Sequence, residues 1–294
     1  MLYEALQPGT YVVAVSGGVD SMALLDMLAH QKDVKIIVAH FDHGIRSDSD
    51  LDRKLVANAA KKYKLPFVYE RGNLGAGTSE DTARKARYAF LRKVQKDAKA
   101  DAIVTAHHQD DALETAILNI LRGTGRKGLS SLRDRRDLRR PLLKTAKAEL
   151  KKYAQEQGIA WREDSTNLDT AITRNYVRHV LLPRIGENGR KKLRDIVTHI
   201  AVLNKAIDRD IHIYLHTQPS RQSLDRHSFI LLSHDLALEI MAEWLRTHGI
   251  KQFDRKLLES VVTQAKVLAP GKKIDINAEY CILVGKETLV LTRR

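Results

Sequence analysis

Ser16-Gly17-Gly18-Val19-Asp20-Ser21 is the stretch that decides the fold of this chain of 294 residues. It follows an apolar run at 11–15 and precedes a second one at 22–28. A short buried strand, a glycine turn and a helix start, in this order, form an anion cradle. The first-turn N–H groups of a helix have no partner within the helix, and the helix dipole favours negative charge there. The stretch therefore predicts a phosphate-binding loop near the amino end.

This loop differs from the ordinary P-loop, in which Lys and then Ser or Thr follow the second glycine. Asp20 and Ser21 stand in the corresponding region here. A carboxylate beside bound phosphates is expected where a divalent cation lies between them, because Mg²⁺ prefers oxygen ligands. We therefore expect Mg-nucleotide chemistry of another type. Taken alone, Gly17-Gly18 fits equally well with a plain strand-to-helix turn that has Ser16 or Asp20 as its N-cap.

The composition indicates a helix-rich α/β protein with a polyanionic partner. Hydrophobic residues make up 43% of the chain and aromatic residues only 5%, which disfavours an all-β fold. The formal net charge of +14 favours a nucleic acid as the partner, although a charge excess also serves solubility. The single cysteine, Cys281, excludes an intramolecular disulfide, a Cys-x-x-Cys redox pair and a cysteine-ligated iron–sulfur cluster.

Targeting signals are not evident in the sequence. No apolar run approaches the roughly 20 residues that a bilayer crossing needs, and the first ten residues lack a signal-peptide pattern. We therefore expect a cytoplasmic protein without a membrane partner.

Short apolar runs alternate with helical patterns along the first half of the chain. Such alternation predicts β-α-β crossovers and hence a Rossmann-like, mostly parallel sheet with helices on both faces. Polar loops follow three of the strands, and in a parallel sheet such loops meet at the ligand crevice. Ser47 or Ser49 is the expected cap of the second helix, and Thr78 or Ser79 that of the third. After the first strand and helix, the predicted elements are strands at 34–39, 65–69 and 102–106 and helices at about 50–62, 79–98 and 112–118.

Two basic stretches and one polar stretch follow these elements. The glycine-rich loop 121–128 and the arginine-rich stretch 133–141 suit phosphate contacts. For the second stretch, a solvated turn with internal Asp-to-Arg pairing is equally plausible. The segments 162–167 and 173–179 concentrate Asp, Ser, Asn and Arg without a hydrophobic period, which is typical of a functional loop.

The stretch from Pro183 to Gly189 contains one proline and two glycines between helical patterns, so we place a domain boundary there. The predicted domains are 1–185, for the nucleotide, and 186–294, a smaller helix-rich α+β domain that binds the RNA substrate. In the second domain we expect helices at about 193–215, 233–248 and 255–266 and a closing antiparallel sheet of three strands.

Four segments together resemble the tRNA(Ile)-lysidine synthetases, a branch of the N-type ATP pyrophosphatase family. These segments are 16–21, 107–115, 164–167, and Arg174-Asn175 with Arg178. Shorter matches at 121–125, 140–143 and 182–183 extend the resemblance over about 11–183. Beyond residue 183, the chain resembles the helical second domain of this family only loosely. Longer family members carry a further carboxy-terminal domain, so we expect a short form.

The resemblance implies a two-step reaction that uses ATP and Mg²⁺. The wobble cytidine in the CAU anticodon of an isoleucine tRNA attacks the α-phosphate of ATP, and free L-lysine then displaces AMP to leave lysidine. Family members are often dimers, so a homodimer is one expected state.

Residue roles follow from the motif match. It implies Mg²⁺ at Asp20, an adenosine pocket at His40, and ATP or RNA phosphates at Arg87 with Arg174 or Arg178. His107, Asp111 and Glu114 share one helix face by their spacing, and the family implies catalysis and binding there. Arg174 belongs to the same implied catalytic set. Whether the carboxylates serve lysine amines or Mg²⁺ stays open. The residues implied to bind ATP at its pyrophosphate end are Ser16, Gly17, Gly18, Val19, Asp20 and Ser21.

Plainer interpretations exist for the acidic residues. Asp110 and Asp111 also suit a helix N-terminus, and Glu114 also suits a solvated surface. The competing functions are a tRNA 2-thiolase, a small-molecule amidating synthetase and a non-catalytic RNA-binding module. A thiolase would need cysteines to carry sulfur, and the synthetase would leave the charge of +14 unexplained. The non-catalytic module is disfavoured because the loop keeps Asp20 and Ser21.

Overall fold

Five strands build the sheet of the first half of the chain. They are β1 (Gly9–Ala14), β2 (Val34–Asp42), β3 (Phe67–Arg71), β4 (Ala102–Val104) and β5 (Leu138–Arg139). Their order in the sheet is β3-β2-β1-β4-β5, and each neighbouring pair is parallel. The first strand is central, with Val13 level with Val38 and Val104. The computed structural model that shows this describes residues 2–45, 48–75, 77–130, 132–163 and 173–294.

Helices follow the strands as the alternation predicts. The helix that begins at Glu80 is capped by Ser79, whose hydroxyl accepts from the Thr82 N–H at 3.2 Å, as expected. The prediction that Ser49 caps the preceding helix is wrong, because Ser49 is already the first helical residue after Asp48, while Ser47 lies outside the described residues. The helices are α1 (Val19–Ala29), α2 (Ser49–Lys62), α3 (Glu80–Asp97), α4 (Gln109–Leu121), α5 (Arg126–Leu129), α6 (Lys147–Glu156), α7 (Thr173–Tyr176), and, after a π-helical turn at Val177–Leu181, α8 (Leu182–His216).

The sheet is buried on both faces. Successive side chains of a strand point to opposite sides. Val13 and Val15 belong to a core that also contains residues of α1, α2 and α6, whereas Val12 belongs to a second core that contains residues of α3. Both faces are thus covered by helices, which confirms the predicted Rossmann-like architecture.

The chain divides into two compact units, Met1–Ala201 and Val202–Arg294. The predicted connection at 183–189 lies within α8, which has one non-helical residue there, Gly186, with φ of 70°. The break in the helical backbone at Gly186 and the division between the two units after Ala201 thus fall at different residues. The domain boundary after residue 185 stays a prediction.

The second unit is helical with a small sheet. Its core is built around Trp244 and Phe229, which are almost fully buried. The sheet is antiparallel, so the three closing strands at 273–275, 280–284 and 288–293 are confirmed, and a fourth, very short one at 223–225 was not predicted. The elements are β6 (Ser223–Asp225), α9 (Arg226–Leu231), α10 (His234–Thr247), α11 (Arg255–Val267), β7 (Lys273–Asp275), β8 (Tyr280–Val284) and β9 (Thr288–Arg293).

None of the described helices combines the length and the apolar character that a bilayer crossing requires.

Candidate active site

The glycine loop, residues 16–18, joins β1 to α1. Gly17 has a φ of 94°, a left-handed conformation that favours glycine. The Ser21 hydroxyl donates to the Gly18 carbonyl at 3.0 Å and accepts from the Ser16 N–H at 3.1 Å, so the loop is held by its own side chains. The cap position of α1 is Gly18, and no described side chain caps it. The interpretation of Ser16 or Asp20 as an N-cap is therefore wrong, and the first-turn N–H groups are left for an anion.

His108 lies among three carboxylates at the start of α4. Its Nε2 is 3.5 Å from Asp20 Oδ2 and 3.4 Å from Asp111 Oδ2, and its Nδ1 is 3.8 Å from Asp110 Oδ2. Burial alone would lower the pKa of His108, but the hydrogen bond to Asp20 and the negative charges of Asp111, Asp20 and Asp110 raise it. The imidazole thus links the glycine-loop carboxylate to α4.

Asp20 has the features of a cation ligand. Its Oδ1 is buried and accepts no hydrogen bond from any described residue. Burial would raise the pKa of Asp20, but His108, Lys147 and Arg178 lower it, which favours the carboxylate. The described residues contain no group of three or more His, Cys, Asp or Glu side chains arranged for a metal. Mg²⁺ commonly takes one or two carboxylates together with substrate phosphates and waters, so the residues present fit it.

Asp111 has two roles in the structure. Its Oδ2 accepts from the His108 N–H at 2.9 Å, which caps α4 and confirms the plainer interpretation of this residue. Its Oδ1 also faces Arg178 Nη2 at 3.4 Å. Asp110 Oδ2 accepts from the Lys147 N–H at 3.2 Å and so joins the starts of α4 and α6.

Glu114 is buried, with 1% of its side chain exposed, so its interpretation as a surface residue is wrong. Arg178 donates to it from Nε at 2.6 Å and from Nη2 at 2.8 Å. Arg174 Nη1 is 3.9 Å from the same carboxylate, and Arg174 Nε is 3.0 Å from Glu80. Burial raises the pKa of Glu114, and the contact with Arg178 opposes that rise. The structure thus brings Asp111, Glu114 and Arg174 together.

His107 precedes α4, so the prediction that it shares one helix face with Asp111 and Glu114 is wrong, and its charged neighbours include three arginines. Its Nδ1 is 2.8 Å from the Thr105 hydroxyl. Burial, with the charges of Arg87, Arg140 and Arg84, lowers the pKa of His107 to about 3, although Asp111 opposes this. Its imidazole is neutral at ordinary pH. We call Arg84, Arg87 and Arg140 the arginine cluster.

The arginine cluster surrounds Tyr88. The guanidinium carbons of Arg84 and Arg87 lie 5.0 and 5.6 Å from the centre of its ring. Burial and the positive charges of Arg84 and Arg174 lower the pKa of Arg87, and Arg140 is 5% exposed. Like charges gathered in this way, two half-buried and one buried, suit an anionic ligand.

Internal pairing also occurs in the arginine-rich stretch. Arg139 Nε donates to Asp134 Oδ2 at 2.9 Å, which confirms that part of the alternative interpretation. Arg140 from the same stretch is buried and is not part of a solvated turn.

His40 lies in β2 and is 3% exposed. Its Nδ1 donates to the Val15 carbonyl at 2.7 Å, and its ring stacks on Tyr69 at 5.9 Å between centroids. Burial lowers the pKa of His40, and Nε2 has no hydrogen-bond partner among the residues described. Its place next to the glycine loop is compatible with an adenosine pocket, which stays a prediction.

The sequence did not single out His108, and one segment cannot be placed. The spacing of three between His108 and Asp111 is the signal for His108, because it puts both residues at one helix end. Arg140 was predicted only as part of the arginine-rich stretch 133–141, since a buried arginine and a solvated one look alike in the sequence. The predicted segment 164–167 lies outside the described residues.

Known proteins resemble this chain over the part that carries the site. A family model of the PP-loop domain matches residues 1–185. The tRNA(Ile)-lysidine synthase of Thermus thermophilus is 41% identical over 183 residues, which cover 60% of this chain and 36% of that protein. The tRNA(Ile)-lysidine synthase of Coxiella burnetii is 29% identical over 265 residues, 85% of this chain and 59% of that protein. The chain thus spans only part of the curated relatives it matches.

A solved structure shares the fold at low sequence identity. The U34-tRNA thiolase NcsA from Methanococcus maripaludis has a TM-score of 0.54 and 13% identity, and covers 66% of this chain and 73% of that chain. Since the family model covers more than half of the sequence, the chain belongs to the PP-loop domain family, and its curated relatives include tRNA(Ile)-lysidine synthases.

Proposed function

We propose that this chain is a tRNA(Ile)-lysidine synthetase, which ligates free L-lysine to C2 of the wobble cytidine in the CAU anticodon of an isoleucine tRNA. Membership of the PP-loop family implies ATP binding. The observation that carries the proposal is the contact between two motifs. Asp20 of the glycine loop meets His108, and His108 meets Asp111, so a phosphate cradle and an acidic cluster form one site.

The first step needs an anion cradle at the β,γ end of ATP. The C2 oxygen of cytidine bonds to the α-phosphorus while the bond from that phosphorus to pyrophosphate breaks. The first-turn N–H groups of α1 and the Ser16 and Ser21 hydroxyls would bind the departing pyrophosphate. Asp20 would hold Mg²⁺, which when bound supplies positive charge beside the phosphates.

The second step needs a cationic and an anionic subsite for lysine. Its ε-nitrogen bonds to C2 of the base as the bond from C2 to the AMP oxygen breaks, and the amine loses a proton to water. Asp111 presents a carboxylate, 13% exposed, that suits an ammonium group, whereas Glu114 is buried against Arg178 and would hold that arginine in place. The arginine cluster suits the lysine carboxylate or an RNA phosphate, and the net charge of +14 suits the tRNA.

Action on tRNA would place the protein in the cytoplasm, and a homodimer stays a prediction.

Tritiated lysine incorporation into tRNA tests the proposal. The purified full chain is incubated with ATP, Mg²⁺, labelled lysine and total tRNA. We expect label in one isoleucine tRNA with a CAU anticodon and stoichiometric AMP. Lack of tRNA-dependent lysine incorporation, or incorporation into many tRNAs, would overturn the proposal. Omission of ATP is the matched blank.

A further inference from the structure

Arg162 joins the glycine loop to the first turn of α2. Its backbone N–H donates to the Gly17 carbonyl at 3.0 Å. Its guanidinium donates from Nε to Asp52 Oδ1 at 2.8 Å and from Nη2 to Asp48 Oδ2 at 2.7 Å. One residue thus holds both the backbone of the loop and two carboxylates of the neighbouring helix.

These carboxylates lie close to the place where an anion is expected. A Cβ atom on Gly17 would be 3.4 Å from Asp52 Cβ, so the first turn of α2 packs directly against the loop. The Asp52 side chain is 9% exposed, and water screens its charge poorly. A negative charge in this position repels pyrophosphate unless a cation compensates it. The Arg162 guanidinium supplies that charge without occupying the loop.

We propose that Arg162 is a positioning residue for the nucleotide site, an inference that rests on the proposed function. It holds Gly17 through the backbone hydrogen bond and compensates Asp48 and Asp52. It thereby sets the affinity of the loop for pyrophosphate and for the pyrophosphate end of ATP, although it contacts neither. If Arg162 only stabilised α2, its loss would lower the stability of the protein but would leave the anion affinity of the folded chain unchanged.

The test measures the Kd of inorganic pyrophosphate and of Mg-ATP by isothermal titration calorimetry on the full chain. We expect Arg162→Ala to weaken pyrophosphate binding about tenfold, because a charged hydrogen-bonded partner is lost. Arg162→Lys keeps the positive charge but not the planar guanidinium with its two parallel N–H donors. We therefore expect a smaller loss of pyrophosphate affinity, about threefold. Adding Asp52→Asn to Arg162→Ala should restore most of the affinity, since it removes a carboxylate charge that Arg162 no longer pairs.

Arg92→Ala is the matched control. Arg92 Nη2 is 2.8 Å from Asp137 Oδ2, and its side chain is 40% exposed against 33% for Arg162. Loss of this ion pair should leave pyrophosphate affinity unchanged. Thermal melts confirm that each variant is folded, and if Arg162→Ala does not fold, the Arg162→Lys variant decides.

Unchanged pyrophosphate affinity in a folded Arg162 variant overturns the inference, and so does failure of Asp52→Asn to restore binding to Arg162→Ala. A wild-type chain that binds neither pyrophosphate nor Mg-ATP overturns the proposed nucleotide site, and the inference falls with it. The two failures differ because only the first leaves wild-type binding intact.

Discussion

Asp20 and His108 meet where β1 and β4 end, with Asp20 Oδ2 3.5 Å from His108 Nε2. The two strands are neighbours in the parallel sheet, so their carboxyl ends lie side by side. His108 also faces Asp111, and Asp111 faces Arg178. A continuous row of charged groups therefore leads from the glycine loop to the buried Glu114.

Asp20→Ala should abolish adenylation and leave tRNA binding almost intact. Loss of the carboxylate removes the expected Mg²⁺ ligand, and we expect pyrophosphate release to fall at least about 100-fold. The basic surfaces remain, so the tRNA Kd should change less than about twofold. Pyrophosphate release and filter binding measure the two effects. Asp97→Ala, which removes an exposed carboxylate at the end of α3, is the control. Equal loss of tRNA binding and chemistry would contradict the role of Asp20.

Arg178→Ala should destabilise the first unit. It leaves the Glu114 carboxylate, 1% exposed, without its bidentate partner, and breaking a buried pair from one side costs about 3 kcal/mol. The free energy of unfolding in urea measures this cost. Adding Glu114→Gln should recover part of it, because the buried charge is then removed. The exposed pair of Arg209 and Asp210 provides the control, since Arg209→Ala should cost less than about 0.5 kcal/mol. Equal costs for the two arginines would show that the Glu114 pair is not buried in solution.

The stability contribution of His107 should depend on pH. Burial, with Arg87, Arg140 and Arg84, lowers the pKa of His107 to about 3, whereas an unfolded histidine has a pKa of about 6.5. Between these values the unfolded chain binds a proton that the folded chain does not, so acid favours unfolding.

His107→Gln removes this proton uptake. As the pH falls from about 6.5 towards 4, the wild type should lose up to about 1 kcal/mol per pH unit relative to the variant. Urea unfolding at several pH values gives the difference, in which other titrating groups cancel. Replacing His227, an exposed histidine of the second unit, provides the comparison. Parallel pH profiles for wild type and His107→Gln would contradict the lowered pKa of His107.

Cys281→Ser should leave lysine incorporation within about twofold of wild type. Cys281 is 4% exposed in β8, and its sulfur is 3.3 Å from the Thr292 hydroxyl, so it has a packing role. A thiolase would instead need a reactive thiol at its site. The same labelled-lysine assay measures the effect, and a thermal melt checks the fold. A folded variant whose activity falls by more than about tenfold would instead favour the tRNA 2-thiolase as the function.

Much of the first unit could be predicted from residue patterns. The strands at 34–39 and 102–106 are confirmed in position, because buried β-branched runs of that length suit parallel strands. The strand β5 was not predicted, since two residues among arginines carry no hydrophobic pattern. The predicted cap at Ser49 was wrong by one residue, a common error where several polar residues precede a helix.

The candidate site could be predicted only in part. The polar loops were expected at one edge of the sheet, and the strand order places them there. Sequence spacing singled out His107, but the residue in contact with Asp20 is His108. Two adjacent histidines look equivalent in the sequence, and they differ only in which neighbours the fold gives them. Burial lowers the pKa of both, but the carboxylates around His108 reverse the shift there, whereas the arginines near His107 add to it.

By itself the sequence determined the glycine loop, the alternation of strands and helices and the class of ligand, because these depend on residues close together in the chain. Only the tertiary structure decided which charges meet. Asp20 pairs with His108, Glu114 with Arg178, and Arg162 with Asp52. Strand order and helix packing bring together partners that are far apart in the sequence. Local sequence patterns do not predict which of these residues will pair. The shape of the glycine loop is therefore set by residues within or next to the loop, whereas the charges around it come from residues that are distant in the sequence.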